Sequence, residues 1–226
     1  MLTLAAMSDD PELPPPPPPP REPIFNPRAF EAVPVLALVA VMVAIQGWIS
    51  MLGIYSQNVI YRDYAFFSAR LWRGEDLTAL VTHAFLHGGW GHLVMNMIAL
   101  FALGGFCWKR MGTVNFFGFF AITAAAGAIT FALIRPGETG PLVGASGAIF
   151  GFLAAFKYMQ LAHIAQRGVD VRRDAVLFLV QITVLNFILG LATGGMMAWE
   201  AHFGGLAIGW FITPYMMRKV PPRRAE

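Results

Sequence analysis

Six stretches of about twenty mostly apolar residues follow one another between residues 34 and 217, and they decide what this chain can fold into. Inside a bilayer every backbone N–H and C=O must find its partner within the protein, so only helices or a closed barrel cross it. Each of these stretches is near the length at which an apolar helix spans the bilayer. They run from about Val33 to Tyr55, Trp90 to Trp108, Thr113 to Ile134, Gly144 to Ile164, Asp174 to Thr193 and Ala198 to Met217. Charged residues make up only 13% of the chain, against about a quarter in water-soluble domains. The expected fold is all-α, a polytopic membrane protein with six transmembrane helices in a lipid bilayer. A soluble enzyme or a nucleic-acid-binding module is excluded. The single cysteine, Cys107, excludes an intramolecular disulfide.

The flanks differ from this domain. An unbroken proline run, Pro14 to Pro20, favours extended polyproline II and cannot join a helix bundle. Residues 1–33 are therefore expected to be a disordered proline-rich tail, 34–217 the membrane domain, and 218–226 a basic tail. After the first stretch, residues 56–89 mix aromatic with charged side chains, which suits short amphipathic pieces in the interface. Twelve cations fall on one side: Arg21 and Arg28; Lys109 and Arg110; Lys157, Arg167, Arg172 and Arg173; Arg218, Lys219, Arg223 and Arg224. Arg62, Arg70, Arg73 and Arg135 fall on the other. By the positive-inside rule both termini are cytoplasmic, in what is expected to be a bacterial inner membrane.

With that orientation, stretches two, four and six all enter from the outer face. Their outer ends carry the polar side chains His92 and Asn96, Ser146, and His202. Polar groups inside a bilayer are costly and point to function. His92 and Asn96, four apart, share a helix face. His202, Gly205 and Gly209 stand at i, i+3 and i+7, again on one face, and two glycines four apart let helix backbones approach closely. Packed on the Gly/Ala-rich "GASGAIFG" of stretch four, that face brings the His202 imidazole within reach of Ser146.

This juxtaposition predicts serine acyl transfer. An imidazole that takes the hydroxyl proton turns a poor nucleophile into a good one. Ser146 begins a helix, where free N–H groups and the dipole favour the anionic tetrahedral intermediate. The Asn96 amide and a ring N–H of His92 are expected to complete an oxyanion hole, and Gly144 is assigned to the same group. No carboxylate lies near the outer ends of stretches two and four, although Glu200 is close to His202 in sequence. A Ser-His dyad is therefore expected, its imidazole steadied by packing against Phe150, one turn below Ser146.

Three blocks, "HAFLHGGWGHLVMNM", "GASGAIFG" and "AHFGGLAIG", resemble in order and internal spacing the second, fourth and sixth helices of the rhomboid intramembrane serine proteases. The resemblance covers about 34–217 and implies a six-helix rhomboid-like bundle. It implies Ser146 as nucleophile, His202 as general base, and His92 and Asn96 at the oxyanion. It also implies close-packing roles for Gly205 and Gly209 and structural roles for His83 and His87. Two features depart from the family pattern. A Trp-Arg pair that many members carry before the histidine matching His87 is replaced by Thr78 and Ala79, with Trp72-Arg73 slightly upstream. A glutamate at the cytoplasmic end of the second helix is replaced by Trp108.

Rival readings fare worse. A metalloprotease centred on His83, His87 and His92 lacks the H-E-x-x-H pattern with its water-activating acid. An α/β-hydrolase elbow needs glycine where Ala148 stands, and a strand before it. A transporter would show paired broken helices or an inverted repeat. The alternative from a different class is a catalytically silent relative that binds membrane helices, but such relatives lose the serine or the histidine. No cofactor or metal is expected. The expected substrates are single-span membrane proteins cut near the outer face, where residues that unwind a helix expose its backbone.

Overall fold

The computed structural model describes residues 33–194 and 197–217. Of the proline-rich segment only Val33 is described; the rest of it and the basic tail 218–226, with the cations they contribute to the charge asymmetry, lie outside the described residues.

Nine α-helices make up the described part: α1 (Val33–Ser50), α2 (Ile54–Tyr64), α3 (Ser68–Trp72), α4 (Ala79–Thr82), α5 (Trp90–Met111), α6 (Thr113–Ile134), α7 (Ser146–Ala165), α8 (Arg172–Ala192) and α9 (Trp199–Met216). A single 3-10 turn, His83–Phe85, follows α4. No strand occurs among the described residues; one isolated antiparallel bridge pairs Phe66 with Leu142. The molecule is an all-α, multi-pass integral membrane protein.

Five of these helices, α1, α5, α6, α7 and α8, are long and apolar enough to cross a bilayer. The sixth expected span, α9, matches α1 in length at 18 residues but falls outside that set. The reason lies in its sequence: Glu200, His202 and three glycines interrupt the apolar run, and the two polar side chains are buried against neighbouring helices. The first span is also shorter than expected. It ends at Ser50, and Gly53, in extended conformation, starts a separate helix of mixed polarity, α2. Short helices α2 to α4 occupy the long connection, as its aromatic and charged mixture implied.

At the centre stands α7, packed most extensively against α9 and α6 and also against α5, while α1 lies on α5. Phe152 of α7 stacks with Phe116 and Phe119 of α6 at centroid distances of 4.9 and 5.2 Å. Leu93, Met97 and Leu100 of α5 close the same core. Where α9 meets α7 there are no side chains to interdigitate. A methyl group added to Gly209 would stand 2.6 Å from both Cα and O of Gly151, and one on Gly205 would overlap the Gly147 carbonyl. The two backbones are in direct contact, which fixes the register of α9 on α7.

The long connection is tied by hydrogen bonds to the end of the bundle at which α7 begins. Phe66 and Leu142 exchange backbone bonds of 3.1 and 2.8 Å, and the Gly144 N–H donates to the His83 carbonyl at 3.0 Å. The Tyr61 hydroxyl donates to the His87 carbonyl at 2.5 Å. The segment leading into Ser146 is thereby held from both sides.

Gly209→Val is expected to lower the unfolding free energy in detergent by about 1–3 kcal/mol or more, because the helices cannot separate without losing register. Gly47→Ala on α1, where nothing lies within 4 Å, is expected not to lower it. Thermal unfolding followed by circular dichroism checks the pair, and equal stability of the two variants would contradict backbone contact between α7 and α9.

Candidate active site

The N-terminal ends of α5, α7 and α9 and the C-terminal part of α8 converge on one polar cluster. Ser146 is the first residue of α7, following Ala145 in helical conformation. The first backbone N–H of the helix to bond back is that of Ile149, to the Ala145 carbonyl at 3.0 Å. The N–H groups of the preceding turn thus lack an intrahelical acceptor, as at any helix start. The Ser146 hydroxyl faces the imidazole of His202, with Oγ and Nε2 2.8 Å apart. His202 is buried in the first turn of α9, two residues after Glu200.

Packing and a hydrogen bond both hold that imidazole. Phe150, one turn below Ser146, stacks on it with ring centroids 4.2 Å apart and planes 10° from parallel. The ring selected from spacing alone is the ring in contact. A second partner was not foreseen: His202 Nδ1 lies 2.7 Å from Oδ1 of Asn186 on α8. To the expected packing of the ring, α8 adds a hydrogen-bond partner. A buried amide in an otherwise apolar helix is a visible signal, but nothing in the spacing of α8 relates it to α9. Glu200, the carboxylate close to His202 in sequence, turns instead to Arg135 at the end of α6, with Nε donating to Oε1 at 2.5 Å.

On α5 the expected pair splits in its geometry. His92 lies against the turn before Ser146: a methyl group on Gly144 would come within 2.8 Å of His92 Nε2. Gly144 has φ +113°, a conformation that side chains rarely adopt. The position is thus restricted to glycine twice over, by backbone and by space. Its own N–H is donated to the His83 carbonyl, so that donor is not free for an oxyanion. His92 Nδ1 accepts a long bond of 3.4 Å from the Gly88 N–H, which leaves the ring proton on Nε2, the atom turned to Gly144. Asn96 is buried and donates one amide hydrogen to the His92 carbonyl at 3.0 Å. A side-chain amide has two such hydrogens, so one remains.

The other sequence-selected residues have packing positions. His83 is buried, its Nδ1 2.9 Å from the Ala79 carbonyl. His87 is fully buried and meets the His92 ring edge-on at 5.2 Å. Gly205 and Gly209 form the backbone contact already described. Thr78 and Ala79, at the first departure from the family pattern, lie at the start of α4, where Ala79 is buried. Trp108 donates from its indole to the Thr113 hydroxyl at 3.1 Å across the turn between α5 and α6. Among the described residues, no group of three or more His, Cys, Asp or Glu side chains is placed to hold a metal ion.

Comparison with known sequences identifies the family. The family model described as "Rhomboid domain" matches residues 69–219, more than half of the chain and all of the cluster. "Rhomboid protein 1, mitochondrial" of Saccharomyces cerevisiae is 31% identical over 152 residues, 65% of this chain and 44% of that protein. "Rhomboid protease GluP" of Bacillus subtilis is 32% identical over 132 residues, 58% of this chain and 24% of the relative. "Rhomboid protease GlpG" of Photorhabdus laumondii is 27% identical over 151 residues, 65% of this chain and 51% of the relative. The matched part thus spans about half or less of these relatives' lengths. A multi-pass membrane bundle with a family match that runs from α3 through α9 leads to one conclusion: the chain belongs to the rhomboid family.

Proposed function

We propose that this protein is an intramembrane serine endopeptidase that cleaves membrane-spanning substrate helices near the outer face. The observation that carries the reading is the 2.8 Å contact between the half-buried Ser146 Oγ and Nε2 of the buried His202. Relatives named as rhomboid proteases lend it support.

The chemistry follows from the positions. Ser146 Oγ attacks the scissile carbonyl carbon while its proton passes to His202 Nε2. The carbonyl π electrons move onto oxygen, and the oxyanion is met by the spare amide hydrogen of Asn96, the Nε2–H of His92 and the N–H groups at the start of α7. Gly144 serves by leaving room for His92, since its own N–H is engaged. His202 then returns the proton to the departing amine, giving an acyl-enzyme. Water, deprotonated by the same imidazole, releases the acid and restores the serine. No cofactor or metal enters this scheme.

Access sets the substrate class. Asn96 stands six residues into α5, about 9 Å along a helix at 1.5 Å per residue, with α9 crossing the bilayer beside α7 and both termini cytoplasmic. A bound substrate must present an extended backbone at that depth, which a membrane helix hides in its own hydrogen bonds. Single-span proteins with Gly, Pro or polar residues near the outer end of their helix fit, and the Gly/Ala surroundings of Ser146 favour a small residue before the cut.

Ser146→Ala and His202→Ala are each expected to abolish cleavage of such a substrate in proteoliposomes while leaving the helical circular dichroism signal intact. Full activity in either would sink the mechanism. The rate is expected to fall on the acid side of the His202 titration, because only the neutral ring accepts a proton; an unperturbed imidazole titrates near about 6.5. A rate that keeps rising well below that region would remove His202 as base. Asn96→Ala is expected to lower kcat by about 10²–10³ with little change in KM, and steady-state kinetics separate this from a binding defect, which would raise KM alone.

A further inference from the structure

The buried residues of α8 are Phe178, Ile182 and Asn186, four apart and therefore one ridge of the helix. The first two pack with Phe150, Ala154 and Leu206 of α7 and α9. At the third position stands an amide, whose burial is costly unless both its ends are hydrogen-bonded. Both are. Nδ2 donates to the Ile182 carbonyl at 2.9 Å, and Oδ1 lies 2.7 Å from His202 Nδ1.

These partners fix the protons. A backbone carbonyl only accepts, so the NH₂ end of Asn186 must face Ile182 and Oδ1 must face the imidazole. Oδ1 also only accepts, so His202 Nδ1 must carry the ring hydrogen. In the neutral ring Nε2 is then bare, and Nε2 is the atom turned to Ser146. That is the tautomer a general base requires, and it is set by a residue on a third helix. We propose that Asn186 is the positioning residue of the general base, making the site a Ser-His-Asn arrangement in place of a two-residue pair. This rests on the serine-protease reading above.

Competing partners for Nδ1 are accounted for. Glu200 on α9 is engaged by Arg135. On α5, Nδ1 of His92 accepts from the Gly88 N–H. A neutral amide orients the ring without placing a further charge inside the membrane, where an unpaired one is expensive. Serine hydrolases on unrelated folds hold the same ring atom with Asp, and papain-like cysteine proteases orient their histidine with Asn. The base is thereby steadied from α8, the least buried of the five apolar helices.

The test uses the full chain in detergent micelles with a fluorogenic single-span peptide, comparing wild type, Ser146→Ala, Asn186→Ala and Asn186→Asp. Asn186→Ala is expected to lower kcat about 10- to 100-fold, the loss of one buried hydrogen bond, with KM changed less than about threefold. Its acid limb should move to lower pH, because the imidazolium loses its acceptor. Asn186→Asp keeps the acceptor, should recover kcat to within about tenfold of wild type, and should move the acid limb to higher pH, because a carboxylate favours the imidazolium. If wild type does not cleave, or Ser146→Ala still does, the serine-protease reading fails and this inference with it. If wild type cleaves and Ser146→Ala does not, Asn186 alone is in question. In that case kcat within threefold of wild type for Asn186→Ala, or equal loss in both Asn186 variants with unmoved acid limbs, overturns the inference. Should Asn186→Ala unfold, the acid limb of Asn186→Asp decides, and an unmoved limb overturns it.

Discussion

The contact on which the rest depends is between two backbones. Gly205 of α9 lies over Gly147 of α7, and Gly209 over Gly151, with no room for a Cβ between them. In lipid there is no hydrophobic drive to press helices together, so association comes from van der Waals fit and interhelical hydrogen bonds. Small residues four apart provide the fit. Ser146 precedes Gly147 directly, and His202 stands one turn before Gly205, so the closeness of the backbones sets the separation of hydroxyl and imidazole. A bulkier residue in this seam would move both groups together with the helices that carry them.

Around that seam the molecule concentrates its buried polar groups at one end. His202 meets Ser146 and Asn186, Glu200 meets Arg135, the Gly144 N–H meets the His83 carbonyl, and the Tyr61 hydroxyl meets the His87 carbonyl. Each bond joins elements distant in sequence, so a group costly to bury alone becomes a tie between helices. The Arg135–Glu200 pair fastens the start of α9 to the end of α6, two residues before the imidazole. Of the five long apolar helices, α8 contributes the fewest buried residues, yet one of them reaches the centre of the cluster.

Much of this was legible in the sequence because helical periodicity is local. Residues four apart share a face whatever the fold, so the pairing of His92 with Asn96, and of Ser146 with Phe150, could be read directly. The glycines of α9 named the face that had to meet α7, and from these alone the serine, the histidine and the stacking ring came together. What stayed hidden depends on the rotation of one helix against another. Asn186 lies sixteen residues from His202 on a separate helix, and no spacing relates them. Gly144 was legible as a small residue but not as one whose N–H is spent on His83, because that bond comes from a connection folded back over the bundle. Hydropathy overstated the first stretch, since Met51 and Leu52 continue its apolar run while Gly53 turns the chain. It also made α9 look like the other spans, although its buried Glu200 and His202 lower its apolar character.

Under the proposed function, His202 activates Ser146 for attack on an acyl carbon. Reaction with a fluorophosphonate, which requires an activated serine and no particular substrate, measures this directly. After incubation of the purified protein in detergent, peptide mapping by mass spectrometry should find the adduct on Ser146 in the wild type and little or none in His202→Ala. An adduct absent from the wild type, or formed equally well without His202, would contradict the account.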